Sequence, residues 1–326
     1  MVQYTRLQSN PKIDWERLGG EATFSTQRPT FSTQDLIMSR LRLFLIALTL
    51  VPTIALAQMA TAPFDGRLKI IQETKTISVA YRTDALPFSF EDGDKKPAGY
   101  TVDICRAIIS MIERQVGVSP LQVKWVPVTS QSRFTAISSG QADMECGAST
   151  VTLARMKEVA FSTLTFLDGT GLLVRASTAG NSLMDLSGKK IGVIAGTSNE
   201  RALNEALKVK AVTATVVPVK SREEGLAQLE VGALDAFASD RVLLVGLASK
   251  AKDPKTLALI ADALSYEPYA IALPRGDWAM KQAVDSALAQ IYRSSALPEI
   301  YGRWFGAMGV PGPVLEVMFG LGRLPE

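Results

Sequence analysis

Two short glycine-led turns, Gly147-Ala148-Ser149-Thr150 and Gly196-Thr197-Ser198, each follow an apolar run and open a helical pattern. Such a turn makes an anion site. The first helical amides lack partners, the helix dipole is positive there, and the hydroxyls add donors. Each turn is equally an ordinary N-cap, since serine and threonine are preferred at that position. Arg155 stands about a turn beyond Thr150 and is within reach to add a bidentate guanidinium, or else is a solvated surface arginine. Arg82 ends the first strand pattern, and Arg133 follows Thr129-Ser130-Gln131-Ser132 at another strand-to-helix junction. Asp240, between a strand and a helix, suits either an ammonium group or a helix cap.

The 326 residues contain no histidine and two cysteines. That excludes Ser-His-Asp and Cys-His catalysis, His-ligated zinc or iron, and a four-thiolate metal site. No metal or cofactor is expected. Lys+Arg number 35 against 32 Asp+Glu, a formal charge of +3, so the clustered basic footprint of nucleic-acid binding is not expected either. With 47% hydrophobic residues the chain has material for full cores, and its length suits about two domains.

Strand and helix patterns alternate. Ile77–Tyr81, Leu121–Val126, Asp143–Cys146, Lys190–Ile194 and Thr215–Pro218 read as strands. Val102, Cys105, Ile108, Ile109 and Ile112 recur at helical spacing, a helix runs to Ser139, and Met280, Val284, Ala287, Leu288 and Ile291 mark a late helix. The class is α/β, with parallel-type sheets. Phe134, Ile137, Gly140 and Asp143 repeat as Leu226, Leu229, Gly232 and Asp235, offset by 92 residues at all four positions. Each copy reads as a helix, a left-handed glycine cap and a strand. Two lobes of similar build follow, with chain crossings near Leu172–Arg175 and Tyr269–Leu273. The candidate residues all sit beyond the carboxyl ends of strands, where open α/β sheets bind ligands.

The N-terminus speaks of export. Residues 1–37 are polar, irregular and unlike the rest, and read as an over-called extension. Met38-Ser39-Arg40-Leu41-Arg42 then opens the apolar run Leu43–Ala57, with Ala55-Leu56-Ala57 as the cleavage signal of a secretory peptide. The run is short for a bilayer span and Pro52 interrupts it. Removing residues 1–57 takes away six basic and four acidic groups, which leaves 29 against 28 in a periplasmic chain of 269 residues. In an oxidising compartment Cys105 and Cys146 are either a disulfide or two buried thiols.

Tyr81-Arg82 with Pro87-Phe88-Ser89-Phe90, then Gly99-Tyr100, Thr129-Ser130-Gln131-Ser132-Arg133, Glu145-Cys146-Gly147-Ala148-Ser149-Thr150 with Arg155, Ala195-Gly196-Thr197-Ser198, Ser239-Asp240-Arg241 and Tyr301-Gly302-Arg303-Trp304-Phe305 follow one another along the chain. In that order they resemble the periplasmic amino-acid-binding proteins of ABC importers, solute-binding protein family 3, and among them the glutamate/aspartate-binding branch. The resemblance spans nearly all of the mature chain. It implies the type II periplasmic binding protein fold, with lobe 1 from residues 58–171 and 271–326, lobe 2 from 172–270, and a two-strand hinge between them. It further implies a non-catalytic monomer that hands an amino acid to an inner-membrane ABC permease.

Carried over position by position, the resemblance implies that Arg155, Thr150 and Thr197 hold the ligand α-carboxylate and Asp240 the α-ammonium. Arg82, Ser130 and Arg133 would hold a side-chain carboxylate. Two positions depart from the branch. Ala148 stands where a serine usually helps bind the ammonium, so only its backbone carbonyl remains. Arg222 stands where a histidine normally meets the distal carboxylate, and an arginine makes that charge permanent. The placement of Cys105 and Cys146 resembles that of relatives with a disulfide. Arg82, Arg133 and Arg155 exceed what one α-carboxylate needs, and a buried unpaired cation is costly, so the expected ligand carries a second carboxylate. The alternative is a periplasmic dehydratase of the prephenate or arogenate type, which needs a carboxylic acid beside the ligand; Glu145 and Glu267 are the nearest candidates. A sensor module on the same scaffold is a third reading.

Overall fold

The computed structural model describes residues 64–325, Ala179 and Asn181 excepted. The extension and the export signal read at residues 1–37 and 38–57 lie outside the described residues.

Among the described residues thirteen strands form three sheets: β1 Thr76–Arg82, β2 Asp84–Ala85, β3 Ser89–Glu91, β4 Pro97–Ala98, β5 Gln122–Val128, β6 Met144–Glu145, β7 Ala160–Asp168, β8 Thr170–Arg175, β9 Lys190–Ile194, β10 Thr215–Val219, β11 Ala236–Asp240, β12 Leu257–Leu259 and β13 Glu267–Leu273. The first large sheet has the order β5-β1-β6-β13-β7 and the second β10-β9-β11-β8-β12, while β2, β3 and β4 make a small third sheet. The two large sheets share one plan. Each begins with three parallel strands (β5, β1, β6 and β10, β9, β11) and then adds an antiparallel strand, β13 or β8. The parallel-type sheets expected from strand–helix alternation are therefore mixed. The antiparallel members are the segments that carry the chain between sheets, where no helical crossover restores direction.

The sequence repeat is a structural one. Gly140 and Gly232 both close their helices with positive φ, 75° and 79°, a backbone that glycine adopts without a Cβ penalty. Three residues on, Asp143 Oδ2 accepts the Ser78 amide of β1 at 2.7 Å, and Asp235 Oδ2 accepts the Lys190 amide of β9 at 2.9 Å. An arginine faces each aspartate, Arg67 at 2.6 Å and Arg175 at 3.7 Å.

The chain leaves the first sheet at Gly169 and returns between Leu259 and Glu267. The segments Leu172–Arg175 and Tyr269–Leu273, read as the crossings, instead lie within β8 and β13, just downstream. Continuous apolar runs do not reveal which sheet they pair with. Gly169 marks the actual switch: a Cβ there would lie 2.6 Å from the Ser265 carbonyl oxygen of the returning segment.

Helix Tyr100–Val116 buries the 3.6-period face Ile104, Cys105, Ile108, Ile109 and Ile112 against the first sheet. Phe88, Tyr100, Phe166, Tyr269 and Phe305 interlock beside it, with Phe88 4.9 Å from Phe166 and 5.2 Å from Tyr269 between ring centroids. Cys105 and Cys146 form a disulfide, with 6.3 Å between Cα atoms. It pins that helix to the residue after β6, at the start of the Gly147–Thr150 turn.

Candidate ligand-binding site

The carboxyl ends of β1 and β6 and the helix start at Arg133 face the helix starts of the second sheet. Arg82, the last residue of β1, is 1% exposed. Its amide donates to Ser89 Oγ at 3.0 Å, which fixes the backbone against the Pro87–Phe90 loop. Its Nη2 donates to Asp84 Oδ1 at 2.5 Å. The other oxygen of Asp84 accepts from Arg222 Nη1 at 3.0 Å. Arg222 belongs to the second sheet's side, as the first residue of helix Arg222–Glu230, which Ser221 caps by accepting the Glu224 amide.

Arg133 opens helix Arg133–Ser138, after a turn in which Thr129 Oγ1 accepts the Ser132 amide at 3.2 Å. Its guanidinium lies 4.7 Å from the Phe134 ring centroid, and that of Arg155 lies 5.1 Å from the same ring. Burial, followed by the neighbouring Arg222, lowers Arg82 to about 10; burial, followed by Arg155, lowers Arg133 to about 10. Both remain cations at neutral pH. Arg82 Nε and Nη1, Arg133 Nε and Arg222 Nε are buried without a hydrogen-bond partner.

Arginines are not the only charges here. Glu145 on β6 is fully buried; burial pushes its carboxyl up, while Arg133 and Arg82 pull it down. Gly147 lies against it: a Cβ there would collide with Glu145 Oε1 and press on Arg82 Cγ, so that the Glu145 side chain would have to shift. The expectation that the arginines face the ligand alone is therefore amended: Asp84 is built in as a counter-charge to Arg82 and Arg222, and the buried Glu145, its carboxyl raised on balance, lies close by. Asp84 was missed from sequence. Its signal is the Arg82-Thr83-Asp84 spacing, since residues i and i+2 of an extended segment share a face.

At the opposite end, Asp240 occupies the N-cap position of helix Arg241–Ala248 but makes no side-chain cap. Asp168 at the end of β7 caps that helix instead, its Oδ2 accepting the Val242 amide at 3.0 Å. Asp240 is thus buried and free of capping duty, with Tyr269, Asn199 and Glu267 around it. Burial and the Glu267 carboxylate raise the Asp240 carboxyl. Burial and Asp240 push Asp168 up to about 7. Glu267 Oε1 accepts the Ser265 hydroxyl at 2.6 Å and the Thr170 hydroxyl at 3.2 Å, and Thr170 accepts Asn199 Nδ2 at 2.8 Å.

Between these ends the two glycine-led turns meet. Thr150 Oγ1 and Ser198 Oγ are hydrogen-bonded at 3.3 Å. Arg155 Nη1 donates to the Thr150 carbonyl at 2.8 Å, which locks its side chain alongside. Thr197 acts as an N-cap: its hydroxyl donates to the Ile194 carbonyl at 2.7 Å and accepts the Glu200 amide at 3.3 Å. The inward hydroxyl of that turn is therefore the neighbouring Ser198. Ala148 packs its methyl into the first sheet's core and adds no side-chain donor. Ser130 lines a cavity of about 140 Å³ with Arg82, Asp84, Lys220 and Ser221, at one edge of the junction. A groove of about 380 Å³ lined by Thr150, Ser198, Arg201 and Glu267 opens at the other edge.

Four guanidinium groups, two hydroxyl-bearing turns and an uncapping aspartate thus lie between two similar sheets. Residues 77–307 match the family model of bacterial extracellular solute-binding proteins, family 3. The chain belongs to that family. It is 34% identical over 268 residues to an L-glutamate/L-aspartate-binding protein of Pseudomonas aeruginosa, covering 80% of this chain and 88% of that one. It is 31% identical over 261 residues to a glutamate/aspartate import solute-binding protein of Escherichia coli, covering 80% and 86%. A solved ancestral arginine-binding protein bound to arginine superposes with TM-score 0.62 at 27% identity, covering 71% of this chain and 99% of that one. The fold is that of the type II periplasmic binding proteins. Both curated relatives are named as binding proteins, as is the family that the chain matches, and the dehydratase alternative is set aside on that ground.

Proposed function

We propose that this protein captures an acidic amino acid, glutamate or aspartate, in the periplasm and delivers it to an inner-membrane ABC permease. The ligand α-carboxylate sits at the Thr150 and Ser198 turns against Arg155, with the Thr197 helix start behind it. The α-ammonium sits at Asp240. The side-chain carboxylate points to Arg82, Arg133 and Ser130, with Arg222 above. The two lobes close on it about the crossings at Gly169 and after Leu259, as a monomer released from its export signal.

One observation carries the ligand class. Four buried guanidinium nitrogens, on Arg82, Arg133 and Arg222, lack acceptors among the described residues. Buried donors left unpaired are costly, and a carboxylate satisfies several at once with charge-assisted bonds. A basic ligand side chain, such as the arginine of the ancestral neighbour, would add donors to donors.

Thermal unfolding against a panel of amino and organic acids tests the reading. An acidic amino acid at 100 times its Kd adds about 2.7 kcal/mol to stability. A panel in which no amino acid raises the melting temperature contradicts it.

A further inference from the structure

We infer that Asp84 is a specificity-determining residue: by occupying Arg82 and Arg222 with an internal carboxylate, it limits how strongly the pocket prefers an acid over its amide. The inference rests on the reading that the ligand side chain points toward Arg82 and Arg133.

The geometry is specific. Asp84 spends one oxygen on Arg82 Nη2 and the other on Arg222 Nη1. It therefore joins Arg82 on the first sheet's side to Arg222 on the second's, itself standing 138 positions before Arg222 in the chain. Its side chain is 18% exposed and those of its partners 2% and 5%, so solvent screens the group weakly. Burial alone would push the Asp84 carboxyl up, but Arg222 and Arg82 outweigh it and hold the carboxyl below its ordinary range. It is an anion throughout the neutral range.

The consequence is electrostatic. Arg82, Arg133 and Arg222 would otherwise offer three cations to one side-chain carboxylate. Asp84 cancels one and leaves fewer free donors, notably Arg82 Nε and Nη1. It also ties the two sides together by a contact that owes nothing to the ligand side chain, so closing over an amide is penalised less. Glu145 is present near Arg133 and Arg82 in the wild type and in every variant alike.

The test is titration calorimetry with glutamate, glutamine, aspartate and asparagine on wild type, Asp84→Asn, Arg222→Gln and the double variant. Asp84→Asn adds one uncompensated positive charge, and its acid-to-amide affinity ratio should rise at least tenfold, about 1.4 kcal/mol. Arg222→Gln removes one, and its ratio should fall. The double variant restores the wild-type charge, and its ratio should return to within about threefold of wild type. If Asp84→Asn does not fold, the double variant still has to exceed Arg222→Gln alone. A ratio that is unchanged or lower in Asp84→Asn, or equal in Arg222→Gln and the double variant, overturns the role of Asp84. A wild type that prefers the amides instead overturns the acidic-ligand reading, a separate outcome visible before any variant is made.

Discussion

Asp168 Oδ2 accepts the Val242 amide at 3.0 Å, and so caps the helix whose own N-cap residue is Asp240. A carboxylate from β7 thereby does the structural work that the sequence position assigns to Asp240. Asp240 is left buried with an unsatisfied oxygen.

If Asp240 receives the ligand ammonium as proposed, it should be expendable for folding and needed for binding. Asp240→Asn should weaken amino-acid binding by about one to two decades in Kd, the size of a lost charge-assisted hydrogen bond. The melting temperature of the unliganded variant should hold or rise, since a buried carboxylate beside Glu267 is removed. A fall of several degrees with unchanged affinity would make Asp240 a cap after all.

The same pair predicts a pH dependence. The folded Asp168 carboxyl titrates at about 7, above the ordinary 3.8, because of burial and the nearby Asp240. A group raised on folding contributes stability that is present below its unfolded pKa and lost as pH rises through the folded one. Unliganded protein should therefore lose stability between about pH 4 and 7, by up to roughly 1.4 kcal/mol per pH unit. A ligand ammonium nearby favours the ionised pair and expels the proton, so affinity should climb over the upper part of that window and level off above it. Asp168→Asn should flatten both slopes, because the amide oxygen keeps the Val242 cap without titrating. Urea titrations and calorimetry across pH check the two signs; affinity that falls from pH 5 to 7 is the contrary result.

The disulfide between Cys105 and Cys146 closes a loop of 41 residues. In the chain-entropy treatment this contributes about 4 kcal/mol. The bond also pins helix Tyr100–Val116 to the approach to Gly147 and Thr150. Reduction should lower the denaturation midpoint and weaken ligand binding together. Free thiols in denatured, unreduced protein isolated under oxidising conditions, or a stability change below about 1 kcal/mol, would contradict this.

What sequence patterns disclosed, and what they hid, divides along physical lines. β1, β9, β10 and the helix Tyr100–Val116 were legible because their apolar residues follow one period and end at clear signals. The repeat at Gly140 and Gly232 was legible because a left-handed cap demands glycine. The exchange of strands between sheets was hidden, since pairing partners leave no local trace, and the long strand Ala160–Asp168 was not distinguished from its surroundings for the same reason. Side-chain direction was hidden as well. Thr197 and Ser198 are adjacent and chemically alike, and only the helix entry angle decides which hydroxyl caps and which faces Thr150. Asp84 went unnoticed because its partner Arg222 comes from the other side of the junction.

The most direct measurement is calorimetric titration of the wild type with glutamate, aspartate, glutamine, asparagine and arginine, repeated on Arg133→Ala. Glutamate or aspartate should bind at least tenfold more tightly than its amide, and arginine should bind weakly. Arg133→Ala should narrow the gap between acid and amide, because each charge-assisted hydrogen bond it removes is worth about 1.5–3 kcal/mol to the acid. Tighter binding of a neutral or basic amino acid than of either acid by the wild type would contradict the central claim.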